Sequence, residues 1–133
     1  MAKIVIVEDE QAIAEMYRFK LQQSGYDVRF ALNGEDGLAL VQEFKPDLVL
    51  LDLMMPKMSG EEMLRRMRAS DWGKDIKVII LTNVTEDVVA NQLEALRVSR
   101  YMVKANYTPS QVAEIVPEVL GEEKTSQPEP AKS

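Results

Sequence analysis

Short aliphatic runs alternate with helical patterns along most of the chain. Three runs, "KIVIV", "LVLL" and "KVIIL", are continuously apolar after their first residue or throughout, which is typical of parallel strands covered on both faces. Two weaker candidates are "YDVRFA" and "RYMV". The pattern therefore predicts strands over Lys3–Val7, Tyr26–Ala31, Leu48–Leu51, Lys77–Leu81 and Arg100–Val103.

Helical patterns with recognisable ends lie between these strands. The first covers Gln11–Ser24 and ends before Gly25, which suits a left-handed stop position. Pro117 should kink the last helix or end it early, and Gly121 should terminate it. Capping residues predict four more helices, starting after Asn33, Ser59, Thr85 and Thr108 and reaching about Phe44, Ala69, Leu96 and Leu120.

Five strands alternating with five helices predict an α/β fold in three layers, with a parallel sheet between two helical layers. We expect one domain over residues 1–121. Residues 122–133 read "EEKTSQPEPAKS", which is polar, contains prolines and lacks apolar periodicity. This segment is predicted to be a disordered tail, or the beginning of a linker to another domain.

Composition narrows the function classes. The formal net charge of -6 and the pI of about 4.8 argue against direct binding to DNA or to an anionic membrane surface. The chain contains no cysteine and no histidine, so thiolate metal sites are excluded and any phosphohistidine must belong to another molecule. The amino-terminal apolar run is too short for a signal peptide or a membrane helix, and we expect a cytoplasmic protein.

Residues that carry chemistry stand at the carboxyl ends of four predicted strands. In an open parallel sheet these ends form one edge, where ligands bind. Each residue alone has a structural alternative, such as helix capping, a turn or a solvated charge. Together they form a candidate site made of Glu8, Asp9, Asp52, Thr82 and Lys104.

Three carboxylates at one edge repel one another unless a cation joins them. Mg²⁺ (or Mn²⁺) suits such oxygen ligands, and the backbone carbonyl of Met54 can contribute another. Beside a metal ion, Asp52 is a candidate nucleophile toward a phosphoryl group. Thr82 and Lys104 can then contact phosphoryl oxygens, because phosphoryl transfer depends on positioning and charge neutralisation.

Four motifs together resemble the response-regulator receiver (CheY-like) domains of two-component signalling. They are "VEDE", "DLMMPKMSGEE", "IILTN" and "YMVK", in this order, and the resemblance covers about Lys3 to Leu120. The resemblance implies a flavodoxin-like, doubly wound sheet with strand order 2-1-3-4-5.

The same resemblance implies a role for each matching residue. Glu8, Asp9, Asp52 and the Met54 carbonyl would hold the metal, and Asp52 would accept the phosphoryl group. Thr82 and Lys104 would contact that group. Tyr101 resembles the aromatic residue that changes rotamer when the threonine moves, although a strand aromatic packed on a helix is an alternative.

Two positions depart from the family pattern. Ala105 replaces the proline that usually follows the lysine, so we predict a trans Lys104–Ala105 bond and an altered loop. Asn83 replaces a residue that is usually small, and we expect it to change the lifetime of the phosphoryl group. Val84 and Met54 flank the site and are expected to tune that lifetime too.

The sequence thus predicts a stand-alone receiver that is phosphorylated by a histidine kinase or a histidine phosphotransfer protein. It would bind a downstream protein through strands 4 and 5 and helices 4 and 5, as a monomer or a weak dimer through those helices. A phosphorylation-independent pseudo-receiver is an alternative. The intact acids, Thr82 and Lys104 argue against it, whereas Ala105 and Asn83 leave it open. An aspartate-nucleophile phosphatase fits less well, because Met54 stands where such enzymes carry a second aspartate. A mononucleotide-binding module lacks a glycine-rich phosphate loop here.

Overall fold

The five predicted strands form one parallel sheet. The computed structural model describes residues 1–84 and 93–121. The strand order is β2-β1-β3-β4-β5, which confirms the predicted flavodoxin-like arrangement. The strands are β1 (Lys3–Val7), β2 (Asp27–Ala31), β3 (Leu48–Leu51), β4 (Lys77–Thr82) and β5 (Arg100–Val103).

The described residues contain four α-helices and two short 3-10 turns. The predicted helix after Thr85 lies mostly outside the described residues, which resume at residue 93. The turns are Glu94–Leu96 and Lys104–Asn106. The helices are α1 (Gln11–Gln23), α2 (Gly34–Phe44), α3 (Gly60–Arg68) and α4 (Pro109–Leu120).

Helix ends follow the predicted capping chemistry. The side chains of Asn33 and Ser59 accept hydrogen bonds from the backbone N–H groups three residues on, at 2.8 Å and 3.2 Å. Thr108 forms a reciprocal capping box at the start of α4. Pro117 does not end α4 early, because the helix continues to Leu120 and closes at Gly121, whose φ is 77°.

The inner strands β1, β3 and β4 contribute alternate side chains to two cores, as the period of two in a strand requires. Ile4 and Ile6 of β1 face the core beneath α1 and α4, which also contains Tyr17 and Val112. The neighbouring positions of β1, Val5 and Val7, face the core beneath α2 and α3. The sheet is thus covered on both faces, which gives the predicted three layers.

At the amino edge of the sheet, one arginine joins the two segments that precede β4 and β5. Arg68 is the last residue of α3, and we call its hydrogen bonds the Arg68 clamp. Its Nε donates to one carbonyl oxygen at 2.8 Å, and its two terminal nitrogens donate to four more at 2.7 to 3.3 Å. These carbonyls belong to the α3–β4 loop and to the turn before β5, at Gly73, Lys74, Ile76, Leu96 and Arg97.

Among the described residues, no helix has both the length and the apolar character that crossing a membrane requires.

Candidate functional site

The strand register brings Glu8 and Asp52 together at the carboxyl edge. Val7 of β1 pairs with Leu51 of β3, so the next residue of each strand stands beside the other. The backbone N–H of Asp52 donates to the carbonyl of Val7 at 3.0 Å, which continues the pairing by one residue. Both carboxylates are therefore fixed by main-chain pairing.

Three carboxylates form one acidic pocket at this edge. Oxygen atoms of Glu8, Asp9 and Asp52 lie within 4.8 Å of one another. Glu8 and Asp52 are buried, with 3% and 6% of their surface exposed, whereas Asp9 is exposed. Burial raises the pKa of Glu8, although hydrogen bonds from Lys104 and from the backbone of Glu10 oppose the shift.

Lys104 reaches the acidic pocket from the end of β5, the edge strand next to β4. Thr82 pairs with Val103, so Lys104 follows the last paired residue of β5. Its Nζ forms an ion pair with Glu8 and another with Asp52 at 3.1 Å. Burial alone would lower the pKa of Lys104, but the hydrogen bonds to both carboxylates outweigh it and raise the pKa. The ammonium therefore stays charged and joins two acids from different strands.

The loop after β3 fits closely around Asp52. The backbone N–H of Met54 donates to Asp52 Oδ1 at 3.2 Å, while the Met54 side chain is 65% exposed. Gly60 N–H donates to the carbonyl of Leu53 at 3.1 Å. A Cβ on Gly60 would lie 2.2 Å from the carbonyl oxygen of Asp52. Gly60 is therefore a site residue that the sequence reasoning missed, although a glycine at the first position of a helix is a visible signal.

Thr82 and Tyr101 are joined through Val84. Thr82 is fully buried, and its hydroxyl accepts from the backbone N–H of Val84 at 3.5 Å. The hydroxyl of Tyr101 donates to the carbonyl of Val84 at 2.6 Å. Tyr101 is half-buried and packs against the core beneath α2 and α3. Asn83, between the two contacts, is exposed.

Replacement of the family proline by Ala105 leaves Lys104 able to reach Asp52. No peptide bond among the described residues is cis, which confirms the predicted trans Lys104–Ala105 bond. Ala105 is exposed in the middle of the turn Lys104–Asn106. The altered loop therefore does not turn the lysine away from the pocket.

A second residue that the sequence reasoning missed lies beneath the pocket. Tyr17 lies on the apolar stripe of α1 with Ala14 and Leu21, and its ring belongs to the core beneath α1 and α4. Burial raises the pKa of Tyr17, while the charge of Lys104 lowers it and that of Glu8 raises it. Tyr17 therefore lies within electrostatic range of the pocket, which a helical stripe alone does not reveal.

The donor set fits a hard divalent cation. Mg²⁺ takes oxygen ligands, usually one or two carboxylates together with water. The acidic pocket offers three carboxylates within 4.8 Å, and two of them are buried. Glu8 and Asp52 already share one cation, Lys104, so their oxygens point toward a common position.

This fold and this pocket define a phosphoacceptor module of two-component signalling. Residues 4–116 match the response regulator receiver domain, and the chain belongs to that family. The acidic pocket is typical of the magnesium site of receiver domains, and receiver domains partner with histidine kinases.

Similar proteins share the receiver part. The DNA-binding dual master transcriptional regulator RpaA of Synechocystis sp. is 40% identical over 82 residues, 62% of this chain and 34% of that protein. The phosphate regulon transcriptional regulatory protein PhoB of Rhizobium meliloti is 34% identical over 115 residues, 86% of this chain and 51% of that protein. The chain thus spans about half or less of the length of these curated relatives.

Solved structures of similar proteins have the same fold over nearly their whole length. Vibrio cholerae chemotaxis protein CheY4 superimposes with a TM-score of 0.83 at 28% identity, covering 90% of this chain and 98% of that one. A CheY-like receiver domain protein from Methanospirillum hungatei gives a TM-score of 0.84 at 25% identity, covering 96% and 99%. These matches confirm the predicted CheY-like architecture.

Proposed function

We propose that Asp52 accepts a phosphoryl group from a partner histidine kinase or histidine phosphotransfer protein. The observation that carries this proposal is the contact of Lys104 with both Glu8 and Asp52. The ends of three strands thereby place one acid, Glu8, and one cation, Lys104, beside the carboxylate of Asp52. The Asp52 side chain accepts hydrogen bonds from Met54 N–H and Lys104, which fixes its orientation.

In the transfer, a carboxylate oxygen of Asp52 forms a bond to phosphorus. The bond between phosphorus and the imidazole nitrogen of the donor breaks, and the electron pair of that bond stays with the imidazole. The chain contains no histidine, so the donor is another molecule. Lys104 neutralises one phosphoryl oxygen, and the Thr82 hydroxyl donates to another.

Glu8, Asp9, Asp52 and the backbone carbonyl of Met54 would hold Mg²⁺ or Mn²⁺. A bound divalent cation supplies positive charge for the phosphoryl oxygens. The residues of this chain orient the acceptor and exclude water: Glu8 and Asp52 are buried, and Thr82 is fully enclosed.

The new dianion then changes the contacts of Thr82 and Tyr101. Thr82 moves toward the phosphoryl group and gives up its contact with Val84 N–H, which releases Val84 and frees Tyr101 to follow. The surface formed by β4, β5 and the fourth and fifth predicted helices, the fifth of which is α4, changes and selects a downstream protein. This is a shift between two pre-existing states rather than a new fold.

The test is phosphorylation with a small donor. The protein is incubated with acetyl phosphate and Mg²⁺, and its intact mass is measured. A single phosphate adduct is expected, and it should be absent in Asp52→Asn and without metal. Asp9→Asn is the second variant, because it removes a metal ligand but leaves the acceptor intact, so excess Mg²⁺ should partly restore the adduct.

Other outcomes favour other functions. No adduct from any donor, with a folded protein, would favour the phosphorylation-independent pseudo-receiver. Steady release of phosphate from unrelated monoesters would favour an aspartate-nucleophile phosphatase. The first of these outcomes contradicts the proposal directly.

The lifetime of the adduct tests the unusual residue beside Thr82. Asn83 is exposed at the end of β4, where its amide can order a water near the phosphoryl group. We expect Asn83→Ala to change the rate of autodephosphorylation, measured as loss of the adduct with time. An unchanged rate would exclude a role for this side chain, and Asn106→Ala, on a neighbouring turn, is the control.

A further inference from the structure

A cationic pocket lies at the amino edge of the sheet, at the opposite end from the acidic pocket. It is open to solvent on one side, and its volume is about 170 Å³. Of the residues that the structure describes, Asp75 is the one that lines it with a carboxylate. Its cations come from the end of α3, the α3–β4 loop, the start of β4 and the turn before β5: Arg68, Lys74, Lys77 and Arg97.

Three of these cations form no ion pair with a carboxylate of the described residues. All three side-chain nitrogens of Arg68 already donate to the carbonyls of the Arg68 clamp. Within residues 1–84 and 93–121, no carboxylate forms an ion pair with Lys74, Lys77 or Arg97. The pocket therefore gathers four cations around one carboxylate, that of Asp75, which gives it a local excess of positive charge.

Arg97 adopts a backbone conformation that a glycine would adopt more readily. Its φ is 57°, in the left-handed region. Its guanidinium donates to the carbonyl of Lys74 at 2.8 Å, which aims it across the mouth of the pocket.

We propose that this pocket binds a phosphate group. Its volume lies below the range of about 300–1,000 Å³ typical of sites for whole small molecules, so a group of a few heavy atoms fits. The planar fork of Arg97 and the ammonium groups of Lys74 and Lys77 match the oxygens of a tetrahedral dianion. The hydroxyl of Ser99, which also lines the pocket, can donate a further hydrogen bond.

The pocket connects two segments that precede the switch strands. Lys74 and Lys77 lie just before and at the start of β4, while Arg97 and Ser99 lie just before β5. A dianion held between them therefore joins the starts of the two strands whose far ends carry Thr82 and Lys104. The phosphate site is distinct from the phosphoryl-acceptor site and does not depend on its chemistry.

The experiment is an NMR titration of the whole ¹⁵N-labelled chain with inorganic phosphate. Ionic strength is held constant with chloride, and EDTA removes metal from the acidic pocket. Saturable shifts are expected for backbone amides of residues 74–77 and 97–99 and not for those of residues 8, 9 and 52. A second titration uses methyl phosphate. If methyl phosphate binds more tightly than inorganic phosphate, the ligand of the pocket is the phosphate group of a larger molecule.

Variants separate binding from folding. Arg97→Gly removes the cation and also relieves the left-handed strain, so the protein should fold and phosphate affinity should fall by at least about tenfold. Arg97→Lys should retain part of the affinity, and Lys20→Gln on α1 should retain all of it. Shifts that do not saturate, that chloride reproduces, or that survive in Arg97→Gly would overturn the proposal.

Discussion

The two edges of the sheet hold a cation in different ways. At the carboxyl edge, Lys104 contacts two carboxylates, Glu8 and Asp52. At the amino edge, Arg68 contacts five backbone carbonyls. A carboxylate can accept another cation or form a covalent bond, whereas a backbone carbonyl keeps its place as long as the chain keeps its path. The carboxylates at the carboxyl edge can therefore exchange one cation for another. The hydrogen bonds of Arg68 at the amino edge stay the same during that exchange.

The largest loss of stability is expected at the amino edge, when the hydrogen bonds of Arg68 are removed. Arg68→Met keeps the apolar stem of the side chain but removes the donors for five carbonyls, some of them part-buried. Unfulfilled buried acceptors are costly, and we expect a loss of about 4 kcal/mol in the free energy of unfolding. Urea denaturation measures it.

Arg66→Met on the same helix is the matched control for Arg68. Arg66 forms an exposed pair with Glu62, one turn away, and its loss should change stability by about 0.5 kcal/mol or less. Equal losses in the two variants would show that the clamp contributes nothing beyond an ordinary surface arginine.

The next largest loss of stability is expected at the carboxyl edge, where Lys104 pairs with two acids. Lys104→Met leaves Glu8 and Asp52 buried without their cation, and we expect a loss of about 3 kcal/mol in metal-free buffer. Because the carboxylates remain available, added Mg²⁺ should stabilise this variant more than the unaltered protein. Urea denaturation with and without Mg²⁺ measures both quantities.

An exposed ion pair provides the comparison for Lys104. Arg100 pairs with Glu118 at 2.7 Å, and both side chains are about half exposed. Arg100→Met should cost under about 1 kcal/mol and should not alter the response to Mg²⁺. If Mg²⁺ stabilised Lys104→Met no more than the unaltered protein, the idea of exchangeable partners would be wrong.

A smaller effect tests the backbone that holds Asp52. Gly60→Ala improves helix propensity, but the new Cβ would lie 2.2 Å from the Asp52 carbonyl oxygen. We expect a net loss of about 2 kcal/mol and slower phosphorylation by acetyl phosphate, because the Asp52 backbone must shift.

Gly37→Ala in α2 is the matched control for Gly60. Its new Cβ would meet side-chain atoms of Val7 and Met63 at 2.9 to 3.1 Å rather than backbone. The loss should be smaller, since side chains adjust more easily than main chain. A greater loss of phosphorylation in Gly37→Ala than in Gly60→Ala would contradict this account.

The smallest effect is expected at Tyr101. Tyr101→Phe removes the hydrogen bond to the Val84 carbonyl but keeps the ring in the core. We expect a loss of about 1 kcal/mol. In the unphosphorylated protein, ¹⁵N NMR should show the Val84 amide shifted toward its position in the phosphorylated one. No shift of this amide would indicate that the ring alone fixes the segment.

The strands and caps were predictable because their signals are local. A continuous aliphatic run marks a strand covered on both faces, and Asn33 or Thr108 marks a helix start with its own side chain. Parallel pairing then brings the strand ends to one edge, so the sequence alone could group Glu8 with Asp52.

The Arg68 clamp and the role of Gly60 were not predictable for a shared reason. Arg68 bonds to carbonyl oxygens, which every residue carries, at sequence distances up to 29 residues. Gly60 acts through the Cβ that it lacks. The ion pairs of Lys104 with Glu8 and Asp52 were not predicted either, because they depend on three-dimensional distance rather than on residue type.

Charge counting gives the acidic pocket a specific preference. Three carboxylates and one ammonium, when all are ionised, carry two negative charges together, which is the charge of one divalent cation with opposite sign. A monovalent ion leaves the pocket negative, and a trivalent ion makes it positive. Because Lys104 is part of the chain, it always cancels one of the three negative charges. The two that remain match the charge of a divalent cation.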